Sequence, residues 1–161
     1  LRVLGLDESG RLELRLEQCD LAAAIRETVS AFEAALRAAG FVVSLELDGS
    51  EVICDPTRIR QALSALLDNA IRHADPGALR IRCHADDGMA RLEVQDEGPG
   101  IPDELADTVF DAFRRGSTPR SGGGTGLGLA VVRAIARAHG GDAACRPSDA
   151  GGTIFELRWP G

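Results

Sequence analysis

Asp96-Glu97-Gly98-Pro99-Gly100-Ile101 and Gly124-Thr125-Gly126-Leu127-Gly128-Leu129 are two stretches of this 161-residue chain whose residue types and spacing could do chemistry. An asparagine-bearing run, Leu66-Leu67-Asp68-Asn69-Ala70-Ile71-Arg72-His73, precedes both. A carboxylate ahead of two glycines can accept a hydrogen bond from an exocyclic amino group, and without side chains at Gly98 and Gly100 a planar base can approach the backbone. Adenine satisfies Asp96, whereas guanine would present a carbonyl to it; Ile101 would wall the base. Seen alone, the same stretch also reads as an ordinary tight turn with Asp at its head. The second stretch opens a helix, and exposed amides at a helix N-terminus bind phosphate without a side-chain cation. Thr125, Gly126, Leu127 and Gly128 would supply them. Its spacing puts Leu129 where a dinucleotide fingerprint needs its third glycine, and no strand immediately precedes it.

Asn69, Arg72 and His73 stand at i, i+3 and i+4 and so project from one face of a helix. An uncharged amide oxygen is a suitable ligand for Mg2+, which fills its remaining coordination with phosphate oxygens and water. Arg72 and His73 could then reach phosphates. Alone, Asn69 would also read as a loop cap and Arg72 as a solvated charge, and the glycine turns weigh against that reading. Metal-binding helix, adenine-binding turn and phosphate-binding turn, in this order, describe a pocket for ATP with Mg2+.

Composition narrows the chemistry. Eighteen basic and 25 acidic residues leave a net charge of −7, which argues against an extended nucleic-acid or anionic-membrane surface. Every basic residue is Arg, and the absence of Lys excludes a Walker loop and a Ser/Thr/Tyr-type protein kinase, both of which set an ammonium on the phosphates. Cys19, Cys54, Cys83 and Cys145 form no Cys-x-x-Cys pair, which argues against a zinc site or a disulfide framework. They read as reduced core cysteines. No apolar run approaches the roughly 20 residues that span a bilayer, and the first residues are no signal peptide, so the chain reads as soluble and cytoplasmic.

The elements that must position these residues follow from periodicity. Residues 11–17 alternate with period two and predict a strand with one buried face. Asp20 caps a helix whose stripe of Leu21, Ile25, Val29, Phe32, Leu36 and Ala39 ends at Gly40. Residues 41–48 and 51–54 predict a short hairpin around Gly49-Ser50. Asp55-Pro56 starts a helix that turns Ile59, Leu63, Leu66, Leu67 and Ala70 inward. Residues 79–85 and 90–95 form a second strand pair joined by Asp86-Asp87-Gly88. Pro102 starts a helix through about Phe113, and 114–124 reads as a mobile lid in which Arg114, Arg115 and Arg120 could neutralise phosphate. Phe110 and Phe113 anchor that lid to the core. A helix over 126–139, stopped by Gly140-Gly141, and strands at 142–146 and 152–158 finish an α+β fold. It is a two-layer sandwich, a mixed, mostly antiparallel sheet packed on about three helices.

With these residues in place, the chain from about 11 to 160 resembles the catalytic ATP-binding domain of two-component sensor histidine kinases. The wider superfamily includes type II topoisomerases, mismatch-repair ATPases and ninety-kilodalton heat-shock chaperones. Asn69, Asp96, Phe110 with Phe113, and Gly124 to Gly128 match its motifs, and His139-Gly140-Gly141 and Gly151-Gly152-Thr153-Ile154-Phe155 also fit. The resemblance implies Mg2+ on Asn69, the adenine amino group on Asp96, Arg115 on the terminal phosphates as the lid closes, and Thr153 beside a water at Asp96. It also implies that Arg72 and His73 occupy positions where the family has Lys or Arg and Tyr or His.

Two departures refine that expectation. Four positions before Asn69, where hydrolysing relatives carry a water-activating Glu, stands Ala65, so the chain holds no general base of its own. None of His73, His84 and His139 is followed by an acidic residue as the family's phosphoacceptor is. The resemblance thus implies an ATP-binding kinase domain over 11–161. Residues 1–10 would end a linker from a missing dimerisation and phosphoacceptor hairpin that supplies the histidine, with a response regulator downstream. It implies no nucleic-acid partner and no direct membrane contact, though the parent could be a membrane receptor with this as its cytoplasmic part. The alternatives are an ATP-binding scaffold without transfer activity, an anti-sigma-type serine kinase, or an ATP-driven switch of the same superfamily.

Overall fold

The structure, a computed structural model, describes residues 12–48, 51–98, 100, 109–110, 128–149 and 151–161. In chain order the elements are β1 (Glu17–Asp20), α1 (Leu21–Ala38), β2 (Phe41–Leu47), β3 (Glu51–Cys54), α2 (Pro56–His73), β4 (Gly77–Asp86), β5 (Met89–Gln95), α3 (Gly128–Ala138), β6 (Asp142–Pro147) and β7 (Thr153–Pro160). A five-stranded sheet runs β2-β4-β5-β7-β6, parallel between β2 and β4 and antiparallel elsewhere, and a separate ribbon pairs β1 with β3. Among the described residues three helices pack on the sheet, with α2 against both α1 and α3, as the two-layer reading expects.

Local chemistry accounts for most element ends. Asp20 accepts the Ala23 amide at the start of α1, and Gly40 ends it with φ +89°. Asp87 and Gly88 both take positive φ, which sets the tight turn between β4 and β5. After α3, the Gly140 amide donates to the Arg137 carbonyl and the Gly141 amide to that of Ala136, a Schellman closure with Gly140 in the left-handed region. The core forms where the helical stripes meet alternate strand residues: Leu21, Ile25 and Leu36 from α1, Ile59, Leu63, Leu66 and Leu67 from α2, Leu79, Ile81 and Leu92 from the sheet, and Trp159 from β7.

Two expectations need correction. Residues 12–16 do not form a strand: β1 begins at Glu17 and Leu16 is 58% exposed, although Leu12 makes an isolated bridge and packs against the core. Nor do β2 and β3 make a hairpin. β2 lies parallel to β4 over seven residues, from Phe41 opposite Gly77 to Leu47 opposite Cys83, while four-residue β3 joins β1. β4 offers β2 a longer ladder than β3 can, and β3 in the ribbon buries Val52 and Cys54 while its Ile53 carbonyl accepts the Trp159 indole N–H. The result is a crossover through α2 between parallel strands.

Candidate functional site

α2, β5, α3 and β7 bring the described candidate residues toward one end of the domain. Asp96 follows the last residue of β5 and is 6% exposed. Its amide donates to the Thr153 carbonyl, and its Oδ1 accepts the Gly98 amide at 2.8 Å and the Thr153 amide at 3.2 Å. Among the described residues none donates to Oδ2. Burial pushes the Asp96 carboxyl above the ordinary carboxylate range; the two amide bonds pull it back in part, and Asp75 pushes it further up. The site thus keeps a buried acceptor aimed by backbone amides.

The turn after Asp96 is wedged between two other elements. A Cβ on Gly98 would sit 3.2 Å from the Ala74 Cα, just past the end of α2, and one on Gly100 would sit 3.5 Å from the Gly152 carbonyl oxygen. Gly100 takes φ +79°. Gly152, at φ +87°, has no room for a side chain, because a Cβ there would overlap the Asp96 carbonyl oxygen. Glu97 ties the turn to β4 through its Oε1, which accepts the Ala78 amide at 2.6 Å. Sequence reasoning missed that anchor. Its signal was faint, since an acid beside a glycine turn is unremarkable until β4 is known to start opposite it.

Asn69, Arg72 and His73 occupy the last two turns of α2, adjoining this turn. Arg72 Nε bonds the Asp68 carboxylate at 2.9 Å, and His73 is exposed. The Asn69 amide is half-buried, and no described group bonds it. Ala65, one turn earlier, packs against the core and offers no carboxylate. Among the described residues no group of three or more His, Cys, Asp or Glu could hold a metal unaided. The Asn69 amide oxygen could serve as one ligand to a metal that takes its other ligands from phosphate and water.

α3 is oriented by its far end. His139, following α3, accepts the Asp55 amide on Nε2 at 3.0 Å and faces the Ile135 carbonyl with Nδ1 at 2.8 Å. A carbonyl can only accept, so the proton sits on Nδ1. Burial lowers the His139 pKa, and the ring also packs against Trp159. Asp55 is the cap of α2: its Oδ1 accepts the Thr57 and Arg58 amides and its Oδ2 the Arg15 amide. Since α2 and α3 pack together and the end of α3 meets the start of α2, the helices run antiparallel. The Gly128 start of α3 therefore points toward the Asn69 end of α2. Phe110 is buried edge-on to Phe155 at 6.2 Å, with the Arg133 guanidinium 4.7 Å over its ring, which bears out its packing role.

Thr153 meets Asp96 through its backbone in both directions. Gly128 opens α3 and is exposed. Ile101, Arg115, Thr125, Gly126 and Leu127 lie outside the described residues, as do Phe113, the lid at 114–124 and most of the helix expected after Pro102.

Residues 54–161 match the family model described as "Histidine kinase-, DNA gyrase B-, and HSP90-like ATPase". The chain is 42% identical over 109 residues to the sensor histidine kinase component HK1 of Mycobacterium tuberculosis, covering 68% of this chain and 64% of that protein. It thus spans just under two thirds of that relative's length. Among solved structures it resembles the Acinetobacter baumannii histidine kinase AdeS, with a TM-score of 0.79 and 37% identity, over 92% of this chain and 68% of that one. It also resembles full-length ShkA in complex with AMPPNP, with a TM-score of 0.81 and 25% identity, over 92% of this chain and 32% of that one.

Proposed function

Because the chain belongs to the histidine kinase-, DNA gyrase B- and HSP90-like ATPase family, as a catalytic ATP-binding domain of the sensor histidine kinase type, we propose that it binds Mg-ATP and donates the γ-phosphate to a histidine. That histidine lies on a separate dimerisation and phosphoacceptor domain of the same receptor, and a response regulator acts downstream. The observation that carries this reading is Asp96. It is a buried carboxylate whose Oδ1 is fixed by two amides, beside a turn that has no side chain at Gly98 or Gly100 and abuts the Asn69 helix. In this reading Oδ2 accepts the adenine amino group and Ile101 walls the base.

Asn69 would hold Mg2+, which when bound neutralises charge on the phosphates. Arg72, His73 and Arg115 would meet the charge of the phosphates, and the amides of Thr125, Gly126, Leu127 and Gly128 would cradle them. Thr153 supports Asp96 from β7. With Ala65 in place of a water-activating acid, the domain's contribution is positioning and charge stabilisation, and transfer to a partner is favoured over hydrolysis.

The acceptor lies on another domain because the chain's three histidines have other surroundings. His73 ends the nucleotide helix, His84 sits within β4 and His139 is committed to Asp55 and Ile135. No helix among the described residues is long and apolar enough to cross a membrane, in keeping with a domain that works in the cytoplasm where ATP is. The test is to incubate the chain with γ-labelled ATP, Mg2+ and a histidine-bearing dimerisation hairpin supplied separately. Acid-labile, base-stable label on the hairpin is expected. Label released only as inorganic phosphate, or carried on serine, would overturn the reading.

A further inference from the structure

Cys19 and Cys54 share one face of the β1–β3 ribbon. In the antiparallel register Cys19 opposes Val52 and Cys54 opposes Glu17, so the two cysteines are diagonal neighbours. Their Sγ atoms lie 2.8 Å apart, closer than unbonded sulfurs normally rest, and both are free thiols. Cys54 is completely buried, whereas Cys19 is half-buried. Cys19 is therefore the more accessible of the pair. Cys83 and Cys145 stand on β4 and β6, which are not neighbours in the sheet, and the Cys83 thiol faces the Asp48 carbonyl.

We propose that Cys19 and Cys54 form an oxidation site at which a peroxide converts the two thiols into an intrachain disulfide fastening β1 to β3. The Cys19 thiolate attacks one peroxide oxygen and the O–O bond breaks. The departing hydroxide takes up a proton and leaves as water, and Cys19 becomes a sulfenic acid. Cys54 sulfur then attacks the Cys19 sulfur. The S–O bond breaks, and the Cys54 proton leaves with the hydroxyl as a second water. Two thiols and one hydrogen peroxide thus give one disulfide and two waters, with two electrons passing from sulfur to oxygen. Burial first, and then the neighbouring Cys19, pushes the Cys54 thiol well above its ordinary range. Cys19, the less buried of the two, is the first to meet the peroxide.

The link would tie the strand leading into α1 to the strand leading into the Asp55 cap of α2. It closes a separation of 35 residues that includes all of α1 and β2. Oxidation therefore clamps the ribbon at the root of the helix that carries Asn69 and restricts the unfolded chain.

In the test, the purified reduced chain is treated with hydrogen peroxide, quenched with catalase, unfolded and alkylated with N-ethylmaleimide. With four cysteines in the chain, the intact mass should show uptake falling from four groups to two, and peptide mapping should join Cys19 to Cys54. A Cys83→Ser/Cys145→Ser double variant should fall from two groups to none. The oxidised chain should melt at a higher temperature than the reduced one and return on treatment with dithiothreitol. Retention of four groups, a link through Cys83 or Cys145, a link between two chains, or over-oxidation of Cys19 without a link would each overturn the proposal.

Discussion

Asp96 carries its charge where burial resists it. Because its folded pKa is raised, its contribution to stability is fully present below the ordinary carboxylate pKa and is lost as pH rises through the raised value. Ionising this carboxyl therefore opposes folding, a cost that the proposed adenine contact would account for. Asp96→Asn keeps an oxygen for the Gly98 and Thr153 amides and removes the buried charge. We expect an unchanged or raised melting temperature with adenine-nucleotide affinity lowered at least about tenfold. Calorimetric titration beside a thermal melt checks both, and unchanged affinity would remove Asp96 from the site. Gly152→Ala is expected to act differently. The left-handed φ and the overlap with the Asp96 carbonyl oxygen should destabilise the chain by about 3 kcal/mol and weaken nucleotide binding with it, measurable by denaturant unfolding.

Among the elements, α2 is governed from both ends. Asp55 caps its start and His139 holds the Asp55 amide, while its last turns present Asn69, Arg72 and His73. Asp55→Ala should remove about 1–2 kcal/mol of stability, because two helix amides and that of Arg15 lose their acceptor. Protonating His139 would put a proton on the nitrogen that accepts the Asp55 amide. Its folded pKa is lowered, so its contribution to stability is fully present above the ordinary histidine value of about 6.5 and is lost as pH falls below it toward the depressed value. Urea unfolding from pH 7.5 to 5 should show that fall in the parent chain, and His139→Gln should flatten it. An equal slope in both would assign the pH dependence elsewhere.

Local chemistry made α2 legible in advance, because Asp55-Pro56 and the spacing of Ile59, Leu63, Leu66 and Ala70 act within a few residues of one another. The Asp86-Asp87-Gly88 turn and the stop at Gly140-Gly141 were legible for the same reason. What was not legible depends on partners far along the chain. β2 pairs with β4 rather than with β3, β1 begins at Glu17, Glu97 reaches Ala78, and His139 reaches Asp55 across 84 residues. Alternation in 11–17 could not reveal that regular pairing starts only at Glu17 and leaves Leu16 exposed. In the candidate site, Asp96 and Asn69 stood out by type and spacing, whereas the framework that aims Asp96 is made of backbone amides, which every sequence contains.

At the scale of the whole molecule, the sheet divides two chemistries. One face is apolar and packs against the helices. The other carries Arg80, Arg82, Arg91 and Arg158 with Glu46, Glu93 and Glu156, and Arg146 bridges Glu93 at 2.6 Å and Glu156 at 3.0 Å. Both glutamates are under 10% exposed. Arg146→Met would leave two buried carboxylates short of a partner and should lower stability by about 2 kcal/mol, a figure discounted because the arginine is half exposed. Nucleotide affinity should be little changed, since this face lies away from Asp96. Binding and scaffold are thereby separable by mutation. The central claim is that this end of the domain is an adenine-selective, Mg-assisted nucleotide pocket. We would titrate the chain with a non-hydrolysable ATP analogue by calorimetry, with and without Mg2+, and repeat the titration with the guanine counterpart. The account predicts saturable binding of the adenine nucleotide, strengthened by Mg2+ and much weaker for guanine; no binding, or binding indifferent to both base and metal, would contradict it.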